Sequence, residues 1–172
     1  ETLNGGSKMV EAGLLDEFEP DGGLALHMDP NAQELSILVP EEEALTSALN
    51  FRITVTGKGA HGATPYKGVD PVFVASQILN AANGILAREI PSNKGASLSM
   101  GHFQSQAGAV NVVPNKVEIE GTARSLYPET ADHLASRLPE VVHHIGQAFR
   151  AQTDFEVLAD CPALVNSPDL AS

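Results

Sequence analysis

Four short stretches of the chain hold side chains whose types could do chemistry. "GKGAHGATP" (57–65) sets His61 among small, loop-forming residues, where an exposed imidazole could move a proton or steady a developing charge. "QAGAVNVVP" (106–114) presents Asn111 after a run of small residues and before an apolar pair and Pro114. "EGTARSL" (120–126) puts Arg124 at the end of a polar strand face, and "LALHMDP" (24–30) ends an apolar run on His27. Strand ends are where ligand sites of α/β sheets collect. Each stretch also has a plain reading. A turn histidine is commonly polar filling, and Asn and Gly favour hairpin loops. A strand arginine is commonly a surface charge, and a histidine at a strand end is more often a satisfied tip than a ligand. Taken singly, each stretch favours its plain reading.

The other candidates are weaker. Asp29 should point to the same side as His27, but Pro30 suits it to the turn. His143 and His144 are adjacent on a helix and point about 100° apart, one toward solvent and one partly packed. His102 and His133 have no partner visible in the sequence. Cys161 has no neighbouring His or acid and reads as a buried small hydrophobe.

The elements around these stretches follow from periodicity. "NGGSKMVEAGLLDEF" has helical spacing after a Gly pair, and "GGLALHMDP" reads as a brief buried strand ending at Asp29–Pro30. Residues 31–43 lack a period, and their triple Glu reads as a solvated loop or linker. "NFRITVTGK" alternates Phe51, Ile53 and Val55 against Arg52, Thr54 and Thr56, the mark of a strand with one apolar face. A helix follows, with Asp70 as N-cap, Pro71 at its first position and Val74, Ile78, Ala81 and Ile85 as its stripe. "ASLSMGHFQ" and "NKVEIEGTARSL" alternate again. A second helix shows Leu134, Leu138, Val141, Ile145 and Phe149, with Pro139 predicting a kink or break inside it. "TDFEVLAD" supplies a last strand.

Residues 50–159 therefore spell β-α-β-β-α-β, the ferredoxin-like arrangement with an antiparallel sheet and both helices on one face. Reading the first and third strands as parallel neighbours makes His61 and Arg124 converge at one end of the sheet. Fold alone assigns no use.

Bulk properties exclude some classes. The 172 residues carry a net charge of -12 with ten scattered basic residues, which argues against nucleic acid. A hydrophobic fraction of 42% fits a globular chain. One cysteine rules out an internal disulfide framework and fits a reducing, cytoplasmic setting. No apolar run approaches the roughly 20 residues that span a bilayer. The abrupt ends give the chain the look of an excerpt from a longer protein.

Taken together, "FRITVTGKGAHGATPYKGVDPVFVASQIL" and "NVVPNKVEIEGTARSL" resemble the lid, or dimerisation, domain of the aminoacylase and carboxypeptidase metallopeptidase family. "GGSKMVEAGLL…GGLALHMDP" resembles the segment of the catalytic domain just before that lid, nearest to the amidohydrolase, hippurate hydrolase-like branch. The resemblance implies three parts: residues 1–47 as catalytic-domain segment, 48–160 as ferredoxin-like lid, and 161–172 as the return toward an α/β zinc-peptidase body. It implies cleavage of N-acyl amino acids or similar small amides, with two divalent ions (zinc, or manganese or cobalt) in the complete enzyme.

Residue by residue, His27 matches a metal ligand. Glu1 matches the second Glu of a Glu-Glu pair, also a ligand, with the general base just before it. His61 matches the lid histidine that in family dimers reaches the partner's site, and Asn111 and Arg124 match residues that bind the substrate's backbone and carboxylate. The family's His-x-Asp strand, its bridging Asp or Cys and its late His have no match here. The chain alone is therefore expected to bind no ion tightly and to be inactive, and the parent enzyme to be a homodimer through its lid. A stand-alone ferredoxin-like dimerisation or ligand-binding module is the other reading, but only the enzyme reading accounts for "LALHMDP".

Overall fold

A computed structural model describes residues 5–32, 35–106 and 108–171. Two short helices, α1 (Gly5–Glu11) and α2 (Leu14–Phe18), open the chain and bury no residue. Gly13 separates them at a left-handed φ of 90°, where one continuous helix was expected.

Residues 22–30 are not the expected buried strand. Leu24, Leu26 and Met28 lie exposed in an irregular run. A strand needs its backbone groups paired, and no described strand pairs with this segment. The triple Glu is not wholly a loop either, since Glu43 begins β1 (Glu43–Leu45).

The core lies between one sheet and two helices. β2 (Ala48–Thr56) alternates strictly, and Phe51, Ile53 and Val55 are fully buried. β3 is the two-residue strand Ala60–His61. Asp70 then caps α3 (Pro71–Arg88), its carboxylate accepting from the Val72 and Phe73 N–H groups at 2.9 and 3.4 Å. Val74, Ala75, Ile78, Ala82 and Ile85 form the buried stripe of α3, with Ala82 rather than Ala81 inward. β4 (Ala96–Ser105), β5 (Val112–Val113) and β6 (Lys116–Ser125) follow, and Val117, Ile119 and Ala123 of β6 point into the core. α4 (Pro128–Ala148) runs unbroken through Pro139. Its buried face is Leu134, Leu138, Val142 and Gly146, so Val141 and Ile145 flank the face rather than centre it, and Phe149 lies beyond the helix and exposed. His143 and His144 are both exposed, against the expectation that one packs. β7 (Gln152–Cys161) completes the sheet, and Cys161 is half-buried, not buried.

The strand order is β4-β6-β2-β7, antiparallel throughout, with both helices packed on one face. Phe51 stacks on Phe155 at 5.2 Å across β2 and β7. Gly121 is required by close approach, because a Cβ there would stand 2.7 Å from Phe51 Cζ and 2.6 Å from the Ser99 carbonyl oxygen. At the far end β8 (Leu164–Val165) pairs with β1, so the strands that lead into and out of the sheet run together.

The antiparallel pairing corrects one inference from sequence. β2 and β6, the first and third strands of the pattern, pair antiparallel, with Thr56 opposite Lys116 and Leu49 opposite Ala123. The residues of β2 leading to His61 thus lie beside the start of β6, while Arg124 lies near its end. His61 and Arg124 sit at opposite ends of the sheet.

Candidate functional site

His61 and Asn111 are brought together by two loops laced to each other. Ala60 pairs with Val113 and His61 with Val112. The Gly62 N–H donates to the Asn111 carbonyl at 2.7 Å, and the Gly57 N–H to the Asn115 carbonyl at 2.8 Å. The Asn115 side-chain oxygen accepts from the Gly59 N–H at 2.8 Å. Gly62 must be small, because a Cβ there would lie 2.8 Å from the Asn111 carbonyl oxygen. Asn115 escaped the sequence reading, although an Asn following Pro in a tight loop is a usual side-chain-to-backbone bridge.

The His61 ring is oriented by its own turn. The Ala63 N–H donates to Nδ1 at 3.1 Å, so in the neutral ring the proton sits on Nε2. His61 is exposed, and its Nε2–H meets no protein acceptor among the described residues. An oriented, solvent-facing N–H donor beside an amide is suited to hold a carbonyl or a developing oxyanion.

Arg124 stands on the open face of the sheet with Glu118, Glu120 and Thr122, exposed, opposite Ser97. The same face holds a second arginine in a different state. Arg52 bonds Glu120 through Nε at 2.9 Å and Glu156 at 2.8 Å, and these bonds hold its guanidinium above its ordinary pKa. Lys116 pairs with Glu118 at 2.9 Å and draws that carboxyl below its ordinary range. Arg124 makes no ion pair among the described residues. Its fork is open to a carboxylate from outside.

Along β6, Arg124 lies eight residue steps from Lys116, about 27 Å at ~3.4 Å per step. One small substrate cannot touch both His61 and Arg124 of one chain. A cleft of about 210 Å³ beside α4 and the ends of β2 and β7 is lined by Leu49, Ala123, Leu134, Asp132 and Asp160, among others, and by none of the candidate site residues.

His27 is exposed, and its Nδ1–H donates to the Met28 carbonyl at 2.8 Å, which leaves the Nε2 lone pair outward, the form a metal ligand takes. Glu1 lies outside the described residues. Among the described residues no three His, Cys, Asp or Glu side chains are placed to hold a metal ion. Of the two candidate ligands, only His27 lies among the described residues.

An antiparallel sheet with two helices on one face and a hydrogen-bonded pair of loops carrying His61 and Asn111 defines a mixed α/β domain whose candidate groups face outward. Residues 44–149 match the family model for the peptidase dimerisation domain, and the chain belongs to that family. It is 29% identical to the N-acetylcysteine deacetylase of Bacillus subtilis over 96% of this chain and 43% of that protein. It is 26% identical to the hippurate hydrolase of Campylobacter jejuni over 98% of this chain and 44% of that protein. A solved structure from methicillin-resistant Staphylococcus aureus superposes with a TM-score of 0.71 at 25% identity, over 76% of this chain and 33% of that one. The chain thus spans less than half the length of these curated relatives. No described helix is long and apolar enough to cross a membrane.

Proposed function

We propose that the chain is the lid and dimerisation portion of a metal-dependent, cytoplasmic amidohydrolase that cleaves N-acyl amino acids or similar small amides. In this reading residues 48–160 form the lid, while 1–47 and 161–172 join it to a catalytic body. His61 donates its Nε2–H to the oxyanion of the attacked amide, Asn111 holds the substrate backbone, and Arg124 clamps the carboxylate. The named activities of the deacetylase and hippurate hydrolase relatives point to this substrate class. Two divalent ions would polarise the amide carbonyl and activate water, with His27 and Glu1 as two of their ligands. This chain alone would lack the rest of the ligands and would be inactive.

The observation that carries the reading is the separation of His61 from Arg124, together with the character of the two sheet edges. β4 and β7 are the edges. β7 carries Asp154, Glu156 and Asp160 with no base, so pairing two copies of β7 would gather like charges. β4, "ASLSMGHFQS", carries no Asp, Glu, Lys or Arg, and Phe103 on it is exposed. It lacks the charges that usually protect an edge.

Two copies of β4 pairing antiparallel about a two-fold axis would set the Ser105 end of one beside the Ala96 end of the other. Ser105 adjoins the loop of Asn111 and His61, and Ser97 lies opposite Arg124. Asn111, in line with β6, and His61, in line with β2, would then lie three and four strand spacings from Arg124 of the other copy, about 14 and 19 Å at the level of the sheet. The projecting loop and the long arginine side chain would have to close that gap around a small acylated amino acid. The test is turnover of N-acyl amino acids by the complete protein and its His61→Ala and Arg124→Ala variants. Both variants should lose at least a hundredfold in kcat/KM; activity that survives both changes refutes the assignment.

A further inference from the structure

The tip of the Asn111 loop holds a residue that neither the fold nor the loop lacing explains. The Val112 N–H donates to the Ala109 carbonyl at 3.2 Å, closing a β-turn whose two central residues are Val110 and Asn111. Turn centres favour Gly, Pro, Asn, Asp and Ser. Here one of the two is a β-branched hydrocarbon, and Val110 is fully exposed, with relative exposure 109%. It touches no core element, while its neighbours Val112 and Val113 are fixed by pairing with His61 and Ala60. Leaving a Val side chain in water forgoes the gain of burying it. Conformation cannot account for the choice, since a polar turn residue would serve the loop as well. Val110 is also next to the site: it precedes Asn111, whose carbonyl accepts from Gly62, the residue after His61.

We infer that Val110 is a specificity-determining residue, packing against an apolar substituent of the amide substrate that His61 and Asn111 engage. The inference rests on the proposed hydrolase reading. Wherever that loop pair meets a substrate, the isopropyl group arrives with it and forms an apolar wall beside the polar contacts. The substituent is either the acyl chain or the amino-acid side chain, and one hydrocarbon contact serves both.

The experiment uses the complete protein with two substrate series. In one the acyl group runs from acetyl to butyryl, hexanoyl and benzoyl on a fixed amino acid. In the other the amino acid runs from glycine to alanine, leucine and phenylalanine under a fixed acetyl group. Val110→Ala should lower kcat/KM by roughly tenfold for the larger apolar members of one series, the scale of one or two lost methyl contacts in a pocket. The smallest members should stay within about twofold, and Val110→Ile should retain the wild-type preference. The series that responds identifies the substituent. An equal loss on all substrates, or none, overturns the inference, and so does dissociation of the dimer on sedimentation of Val110→Ala, which would make Val110 an interface residue. Wild-type protein without turnover on any member would remove the hydrolase reading itself, and this inference with it. Wild-type turnover with an indifferent Val110 removes only the latter.

Discussion

Gly62→Ala probes whether the two loops act as one rigid unit. Gly62 does not have a positive φ, so its backbone can accept a side chain. Contact is the sole objection. The new Cβ would lie 2.8 Å from the Asn111 carbonyl oxygen and 3.1 Å from its carbon, against 3.4 Å for ordinary contact. Relief requires the loops to part by about 0.6 Å, the difference between the two figures. The 2.7 Å hydrogen bond from Gly62 to Asn111 then lengthens to about 3.3 Å, at the weak end of the N–H···O range. Its weakening costs up to about 1 kcal/mol, which for a chain of this size lowers Tm by at most roughly 2–4 °C.

The effect on function should be larger, because sub-ångström misplacement of positioned groups lowers rates steeply. A loss in kcat/KM on the order of tenfold or more is expected. Calorimetry on the chain and kinetics on the complete protein measure the two effects separately. A Tm drop of the expected size with unchanged kcat/KM would refute the claim that apposed loops position His61 and Asn111. A collapse of the fold would show instead that the close approach serves stability.

Other perturbations test the scaffold. Asp70→Ala should cost about 1 kcal/mol by removing the cap from Val72 and Phe73, with Asp70→Asn nearly silent in thermal melts. Gly121→Val should destabilise by at least 1–3 kcal/mol, since a backbone oxygen and the Phe51 ring both bar the new side chain; an unchanged denaturation midpoint would contradict this. Glu89 joins α3 to α4 through Arg137 and His133, and the Arg137 hydrogen bond chiefly holds its carboxyl below the ordinary 4.5. A depressed folded pKa gives stability that is present above the ordinary value and lost as pH falls through the folded one. Wild type should therefore lose stability more steeply than Glu89→Gln below about pH 4.5, and parallel Tm–pH curves would contradict the ion pair's role.

The strands and helices of the core were legible because one-sided burial writes its period into the sequence. Phe51, Ile53 and Val55, or Val117, Ile119 and Ala123, can face a core only as strands. The capped start at Asp70–Pro71 was legible for the same local reason. Direction of pairing was not. Whether β2 and β6 run parallel or antiparallel depends on how the α3 crossover returns the chain, and alternation is blind to that, so His61 and Arg124 were set at one end instead of two. The apolar alternation around Leu24, Leu26 and Met28 matches a strand, yet a strand forms only beside a partner. His61, Asn111 and Arg124 were legible as types in loops and on a polar face. Their lacing through Asn115 and the freedom of Arg124 beside an engaged Arg52 needed coordinates, because both depend on contacts between segments remote in sequence.

The central claim is that the active unit draws His61 and Arg124 from different copies. Mixing His61→Ala and Arg124→Ala forms of the complete protein, after dissociation and reassociation, tests it directly. A site shared between copies leaves each mixed dimer one site with both groups intact, so an equal mixture should recover about a quarter of wild-type turnover from two nearly inactive parents. If both groups act within a single chain, no mixed dimer contains an intact site. Turnover that stays at the level of the parents, with mixed dimers verified by mass, would contradict the account.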